Sequence, residues 1–328
     1  MRKKETYSPL LLLFLLICLV PTVGMLIFGQ GNGGANEIKT EKPRLFSAEK
    51  SLNTDYFICL SDYVFDSFFL RRELISLRNK LVASVFNTSA EDGVILGKNG
   101  WLYYSATLDD YTGANSMTDR EIFSVATNLR LINDYCRFLG MDFLFVVAPN
   151  KNSVYGDNMP NYGSVSETHD SQRLFSKLRE QNVPYLDLFT VFKEQDEVLY
   201  FAHDSHWSEK GAALAADLIN SKFGKNTEYH SGDFSETAQH QGDLFTMLYP
   251  SLSDDELAPV FGDKLSFTYG SGGRKPDSLT INTLGSDVGN LLVFRDSFGN
   301  QLYPYLADSF ASARFSRSLS FDLAEAEN

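Results

Sequence analysis

Short, almost wholly apolar runs alternate with helix-spaced segments along this 328-residue chain, and no other feature narrows its fold as far. Phe143–Ala148 is one such run, broken by Pro149-Asn150-Lys151. Pro184-Tyr185-Leu186-Asp187-Leu188, Val198–Phe201 and Leu291–Phe294 are others, and Ala313–Phe315 starts one more. Runs of this length and composition read as strands covered on both faces. Between them Ile122, Val125, Ala126, Leu129, Ile132, Cys136 and Leu139 recur at helical spacing, and Gly140 closes that helix. Leu174, Phe175 and Leu178 mark a second helix. A third runs from a Ser208 cap, with Glu209 in its first turn, to about Phe223. Tyr303–Phe310 reads as a short fourth. Buried strands alternating with helices predict an α/β domain built on a doubly wound parallel sheet.

Ligands of such sheets bind beyond the carboxyl ends of the strands. Two runs with chemical potential fall at those ends: His203-Asp204-Ser205-His206-Trp207 and, about ninety residues later, Arg295-Asp296-Ser297-Phe298-Gly299-Asn300. A serine hydroxyl is a poor nucleophile until a base takes its proton, and a neutral imidazole suits that role. The imidazole in turn needs its other nitrogen held, which a carboxylate does. These needs assign Ser297 as nucleophile, His206 as base and Asp204 as the group that orients the base. Either run alone has a bland reading, as a solvated loop or a helix cap. Their joint placement at strand ends favours the catalytic one. His203 is expected to face away or to line the pocket mouth, and Trp207 to pack behind the base. Asp296 orients the nucleophile turn or caps the helix after it.

The first thirty residues stand apart. Arg2, Lys3 and Lys4 precede an uncharged apolar run, Pro9–Phe28, of 20 residues. That is enough for one helical crossing of a hydrocarbon layer roughly 30 Å thick. The flanking positive charges favour a cytoplasmic amino terminus and place the chain beyond the run outside. The length of the run, and the lack of a small-residue cleavage site close behind it, favour an uncleaved anchor over a signal peptide. Residues from Gly29 onward are Gly-rich and polar, a tether. The chain thus divides into an anchor over residues 1–30, a linker over 31–45 and an extracytoplasmic domain over 46–328. Residues 50–86 read as helical, and two apolar runs around Lys98-Asn99-Gly100 as a β-hairpin. Residues 224–289 read as loops with a small excursion.

The chain carries a net charge of −13, and the part beyond the anchor is more acidic still, because the first 30 residues are net basic. Nucleic acid and anionic surfaces are poor partners for such a domain. Of three cysteines, Cys18 lies in the anchor. Cys59 and Cys136 are free to pair in an oxidising compartment, although Cys136 on an apolar helix face is the more ordinary buried thiol. No metal-ligand spacing occurs, so neither metal nor cofactor is expected.

The D-S-H-W run, the later R-D-S-F-G-N, the hairpin Gly97-Lys98-Asn99-Gly100-Trp101-Leu102-Tyr103-Tyr104 and the strand end Ala148-Pro149-Asn150-Lys151 resemble the SGNH hydrolase-like proteins of the alginate O-acetylation family, in its DHHW branch. Serine after the Asp/His pair is the order of that family, whose domain resembles a circularly permuted SGNH hydrolase. The resemblance implies O-acetyl transfer through a Ser297 acyl-enzyme onto an exported or cell-surface polysaccharide. It also implies a membrane-bound acyltransferase partner as the acetyl donor. Oxyanion donors would be the backbone N–H groups of Ser297 and Gly299 and the Asn150 amide. Tyr303 would stack on a sugar or pack in the core; Lys151 would steady an acidic sugar or lie solvated.

The chain departs from the family in reading H-D-S-H-W where D-H-H-W is usual. Ser205 is expected to point away from the pair. Family members usually continue through one more hydrophobic strand after the segment that ends here at Asn328. An esterase with the same residues and a non-catalytic, membrane-tethered polysaccharide-binding protein are the competing readings, because the choice between water and sugar lies in what the acyl-enzyme excludes.

Overall fold

Residues 8–29, 40–46, 51–162 and 169–318 are described by the computed structural model, and the chain partitions into two units, residues 1–91 with 245–253 and residues 92–244 with 254–328. The first unit holds α1 (Ser8–Phe28), which contains the membrane-length apolar run, α2 (Tyr56–Ser67) and α3 (Arg71–Phe86). The single helical stretch read over 50–86 is broken by an extended Phe68, which ends the first helix, and by Leu70, whose left-handed φ of 62° immediately precedes the next. Most of the tether lies outside the described residues.

The second unit opens with a hairpin of β1 (Val94–Leu96) and β2 (Leu102–Tyr104), in which Val94 pairs with Tyr104. Asn99 and Gly100 both take positive φ at its tip, the conformation their residue types tolerate best. After α4 (Leu108–Thr112) comes α5 (Asp119–Phe138), started by a reciprocal cap between Thr118 and Glu121. Next in order are β3 (Phe145–Val146), α6 (Lys151–Val154), α7 (Asp170–Glu180), β4 (Tyr185–Leu186), α8 (Leu188–Lys193) and α9 (Glu209–Lys222). The rest comprises β5 (Phe234–Gln239), β6 (Leu257–Phe261), β7 (Thr268–Tyr269), β8 (Thr280–Leu284), β9 (Asn290–Phe294), α11 (Gly299–Asp308) and β10 (Ser312–Ser316), together with the start of α10 (Asp243–Leu248), whose residues from Phe245 on belong to the first unit.

β3 pairs parallel with β4, and β9 parallel with β10 through the α11 crossover, as the βα alternation implies. The second ladder is nevertheless mixed. Its strand order is β7-β8-β10-β9, with β8 antiparallel to both neighbours. β8 comes from the stretch read as loops; its Thr and Asn residues interrupt the apolar run that marks a doubly covered strand. Three other local readings are corrected. Leu188 begins a helix rather than ending a strand, because Asp187 accepts a hydrogen bond from the Thr190 N–H and caps it. Val198–Phe201 forms a single antiparallel bridge, Tyr200 with Trp207, not a strand. Ser208 precedes α9 but does not cap it with its hydroxyl, which donates to the Leu199 carbonyl.

The main core gathers Leu188, Phe192, Leu199, Trp207, Ile281 and Phe315 with the alanine face of α9 and the buried side of α11. Each large side chain buried there is worth about 1.5–3 kcal/mol. Gly211 in α9 is required by close approach, since a Cβ would collide with the Leu199 carbonyl. That contact presses the chain carrying residues 199–207 onto α9. A second core joins α5 to α7 through Ile122, Ala126, Phe175 and Leu178. Cys136 is a buried thiol, and all three cysteines are unpaired.

Candidate active site

β9 delivers the nucleophile turn. Arg295 still bonds to the β10 ladder through its N–H to the Ser316 carbonyl, and α11 starts at Gly299. The intervening residues therefore turn sharply at a strand end. Asp296 accepts from the Phe298 N–H at 2.9 Å, holding the turn. The Arg295 guanidinium donates to the Asn300 side chain and to the Pro276 carbonyl, each at 2.6 Å. A Cβ at Gly299 would lie 2.5 Å from the Arg295 side chain, so the turn needs glycine there.

The base comes from the irregular run after Phe201. His206 Nε2 lies 2.8 Å from Ser297 Oγ, and His206 Nδ1 lies 2.7 Å from Asp204 Oδ1. A carboxylate only accepts, so Nδ1 carries the proton and Nε2 is left to accept the serine hydroxyl's. Trp207 links the two runs: buried behind the imidazole, it donates from Nε1 to the Phe298 carbonyl at 3.1 Å. His203 turns elsewhere, to Asp254 at 2.7 Å.

Asp204 is 6% exposed and both of its oxygens are filled. Besides the His206 ring, Oδ1 accepts the His206 backbone N–H at 2.9 Å. Oδ2 accepts from the Asp243 N–H at 3.1 Å and lies 3.0 Å from His240 Nε2. Burial works against its charge, but the hydrogen bonds from His206 and His240 outweigh it and hold the carboxyl well below the usual range. Burial likewise opposes the imidazolium of His206. The Asp204 hydrogen bond and the charges of Asp204, Asp243 and Asp296 prevail, and its pKa is raised.

Sequence reading missed four residues that organise this loop. His240 stacks on Phe201 with ring centroids 3.8 Å apart while bonding Asp204. Asp243 accepts the Ser205 N–H at 2.7 Å and the Ser205 hydroxyl at 2.5 Å, and lies 3.5 Å from His206 Nδ1. Burial and the neighbouring Asp204 charge push its own pKa up. Asp254 binds His203, and Glu256 accepts the backbone N–H groups of Ala202 and His203. Their strands and turns approach the motif closely: a Cβ at Gly242 would collide with the His203 carbonyl. A D-x-H-D-like run would have flagged a second carboxylate, but these residues sit in sequence stretches with no local signal.

Ser205 does not point away from the pair, contrary to expectation. Its Oγ is 3.2 Å from His206 Nδ1, drawn there by Asp243. Lys151 neither reaches a sugar nor lies solvated. It is 4% exposed, and its Nζ donates to the carbonyls of Phe201, Ala202 and Asp204 at 3.1, 3.0 and 2.6 Å. Burial pushes its pKa down to about 7, against the pull of Asp204, Glu256 and Asp243. Three carbonyls match the three protons of an ammonium. Tyr303 is core: 4% exposed, it bonds Tyr269 through its hydroxyl and packs edge-on against Phe315. The Asn150 amide donates to Asp110 at 3.1 Å.

Asp204, His206 and Asp243 bring ligating atoms within 4.8 Å of one another, as do His203, Asp254 and Asp255. In the first group both carboxylates already accept N–H donors, which suits an imidazole relay better than a cation.

Residues 94–266 match the family described as SGNH hydrolase-like domain, acetyltransferase AlgX. The chain belongs to this family. The matched stretch contains Asp204 and His206 and ends before Ser297, which joins them through geometry. A protein of Pseudomonas syringae pv. tomato described as probable alginate O-acetylase AlgJ is 26% identical over 254 residues, which cover 71% of this chain and 58% of that protein. The chain thus spans less than two thirds of the relative it matches. Bacillus cereus PatB1 superposes with a TM-score of 0.53 at 16% identity, covering 71% of this chain and 90% of that one. The structure of PatB1 with a sulfonyl adduct gives 0.51 at 15% identity, covering 68% and 85%. Both share the α/β fold of this chain, which the family match describes as SGNH hydrolase-like.

Proposed function

We propose that the chain is an O-acetyltransferase that carries an acetyl group on Ser297 and passes it to a hydroxyl of an exported or cell-surface polysaccharide. The observation that carries the reading is the hydrogen-bonded sequence Ser297–His206–Asp204, with an unbroken path of short contacts from hydroxyl to buried carboxylate. Membership of an acetyltransferase family and similarity to a protein described as an alginate O-acetylase support the reaction class.

In the first half-reaction Ser297 Oγ attacks the donor's acetyl carbonyl while its proton passes to His206 Nε2. Asp204 stabilises the imidazolium without taking a proton. The Ser297 N–H, at the entrance to α11, and the Gly299 N–H stand as donors to the oxyanion. The imidazolium then protonates the leaving group. In the second half, His206 takes the proton of a sugar hydroxyl, whose oxygen attacks the acyl-serine and releases the ester and free Ser297. The Asn150 amide gives one N–H to Asp110 and would offer its other N–H to the oxyanion.

α1 is read as an uncleaved anchor, with residues 31–45 as linker and the domain outside the membrane, where a membrane-bound acyltransferase supplies acetyl groups. The reading is tested by giving the full chain, reconstituted in nanodiscs, an activated acetyl ester and uronate oligosaccharides. Acetylated oligosaccharide is expected. Release of free acetate alone would mean that water is the acceptor and the chain an esterase. Neither product would leave a non-catalytic binding protein.

A further inference from the structure

α3 is built inside out. Its buried positions are polar: the Asn79 amide donates to the Leu248 carbonyl at 2.8 Å, and Ser76 Oγ accepts the Ser251 N–H at 3.0 Å. Its apolar positions Leu74, Leu77, Leu81 and Val85 recur at helical spacing and form one exposed stripe, 44–69% open. Ordinary amphipathic helices do the reverse. Arg71 and Arg78 flank the stripe on one side, and Lys80 beside Glu73 on the other, in an otherwise acidic chain. Within the same unit, Leu74, at one end of the stripe, lines an apolar groove with Ile17 and Pro21 of α1 and Phe57, Val64 and Phe65 of α2.

We propose that α3 lies on the bilayer that holds α1, with Leu74, Leu77, Leu81 and Val85 among the acyl chains and Arg71, Arg78 and Lys80 against anionic headgroups. The inference rests on the reading of α1 as an anchor. An apolar stripe edged by basic side chains is the pattern of helices that lie in the membrane interface, where long cationic side chains reach up to the phosphates. The first unit would then lie along the membrane as well as be tethered to it.

Nitroxide labels on the full chain test this in vesicles of phosphatidylcholine and phosphatidylglycerol. In a Cys18→Ser, Cys59→Ser, Cys136→Ala background, labels at Leu77→Cys and Leu81→Cys should collide with oxygen rather than a nickel chelate. Their collision ratio is expected to exceed by roughly threefold or more that of a label at the exposed Ser176→Cys. Reversing Arg71, Arg78 and Lys80 to Glu should bring the ratio down to the Ser176→Cys value; an unchanged ratio would overturn the headgroup assignment. Ratios equal to Ser176→Cys in the parent would overturn the proposal, as would shielding from both reagents, which means that protein covers the stripe. A label on native Cys18, kept in a Cys59→Ser, Cys136→Ala background, separates the two readings. If it reports bilayer while Leu77→Cys reports water, only this inference fails. If it too reports water, the anchor reading falls and takes the inference with it.

Discussion

The two arms of the candidate site are held in opposite ways. Ser297 rests on regular structure: a strand laddered to β10, a turn closed by its own Asp296, and a helix beginning two residues on. The base arm, from Phe201 to His206, has little backbone support: the flanking Tyr200–Trp207 bridge and the Leu102 N–H donated to the Ala202 carbonyl. It hangs instead on side chains distant in sequence. Lys151 takes three of its carbonyls, Glu256 two of its N–H groups, and His240 and Asp243 enclose its carboxylate and serine. The nucleophile is positioned by backbone, the base by buried polar chemistry. Such networks hold one geometry when complete and fail sharply when one member is lost.

That contrast breaks if substitutions in the two arms cost alike. Asp204→Asn should have the largest effect, lowering the acylation rate about ten-thousand-fold by disrupting the tautomer and removing the charge beside His206. Stopped-flow acylation with an ester substrate reads it. Asp204 has a depressed folded pKa, so its contribution to stability is complete above the ordinary carboxylate value near 3.9 and is lost as pH falls below it. Wild type and Asp204→Asn should therefore converge in denaturant midpoint in acid and diverge at neutral pH.

Lys151→Met comes next. It removes the shared donor of three carbonyls, at a cost of about 1–3 kcal/mol for each left buried and unsatisfied; the Ala202 carbonyl keeps the Leu102 N–H. A lower melting temperature and acylation slowed by about a hundredfold are expected, because the Asp204 carbonyl is one of the three. Unchanged acylation in a folded Lys151→Met protein would show that the base arm does not need its pillar.

Asp243→Asn should act on pH dependence more than on rate. The raised pKa of His206 places the acidic limb of acylation above the ordinary imidazole value near 6.5. Removing the Asp243 charge makes the imidazolium less favourable, so the limb should move toward acid by roughly one unit. A shift toward alkali would contradict the electrostatic role. Asp296→Ala, in the nucleophile arm, should matter least. It loses one exposed turn contact worth about 1 kcal/mol, and acylation is expected to slow by less than about tenfold. A loss matching Lys151→Met would erase the distinction between the arms.

The same distinction governs what was legible in the sequence. Ser297 could be read because its position depends on neighbours: an apolar strand before it, a helix after it, and turn formers between. The Asp204–His206 spacing was visible too, as a two-residue motif. Their mutual distance followed only from the expectation that both runs end at one sheet edge. Lys151 looks like a surface or substrate lysine in sequence, because nothing adjacent to it says that three carbonyls, fifty residues later, will close around its ammonium. His240, Asp243, Asp254 and Glu256 lie where hydrophobic periodicity is lost, so only tertiary contact reveals them. Tyr303 illustrates the converse: an aromatic near a nucleophile invites a substrate role, but its place on α11 faces the core. β8 carries little sequence signal because an antiparallel strand needs no crossover helix to announce it.

The central claim, that His206 activates Ser297, is tested most directly by mapping a sulfonyl fluoride adduct on the full chain. Single labelling at Ser297 is predicted, with a rate that rises as His206 loses its proton and collapses in His206→Ala. Labelling at another residue, or of Ser297 at the wild-type rate in His206→Ala, would contradict it.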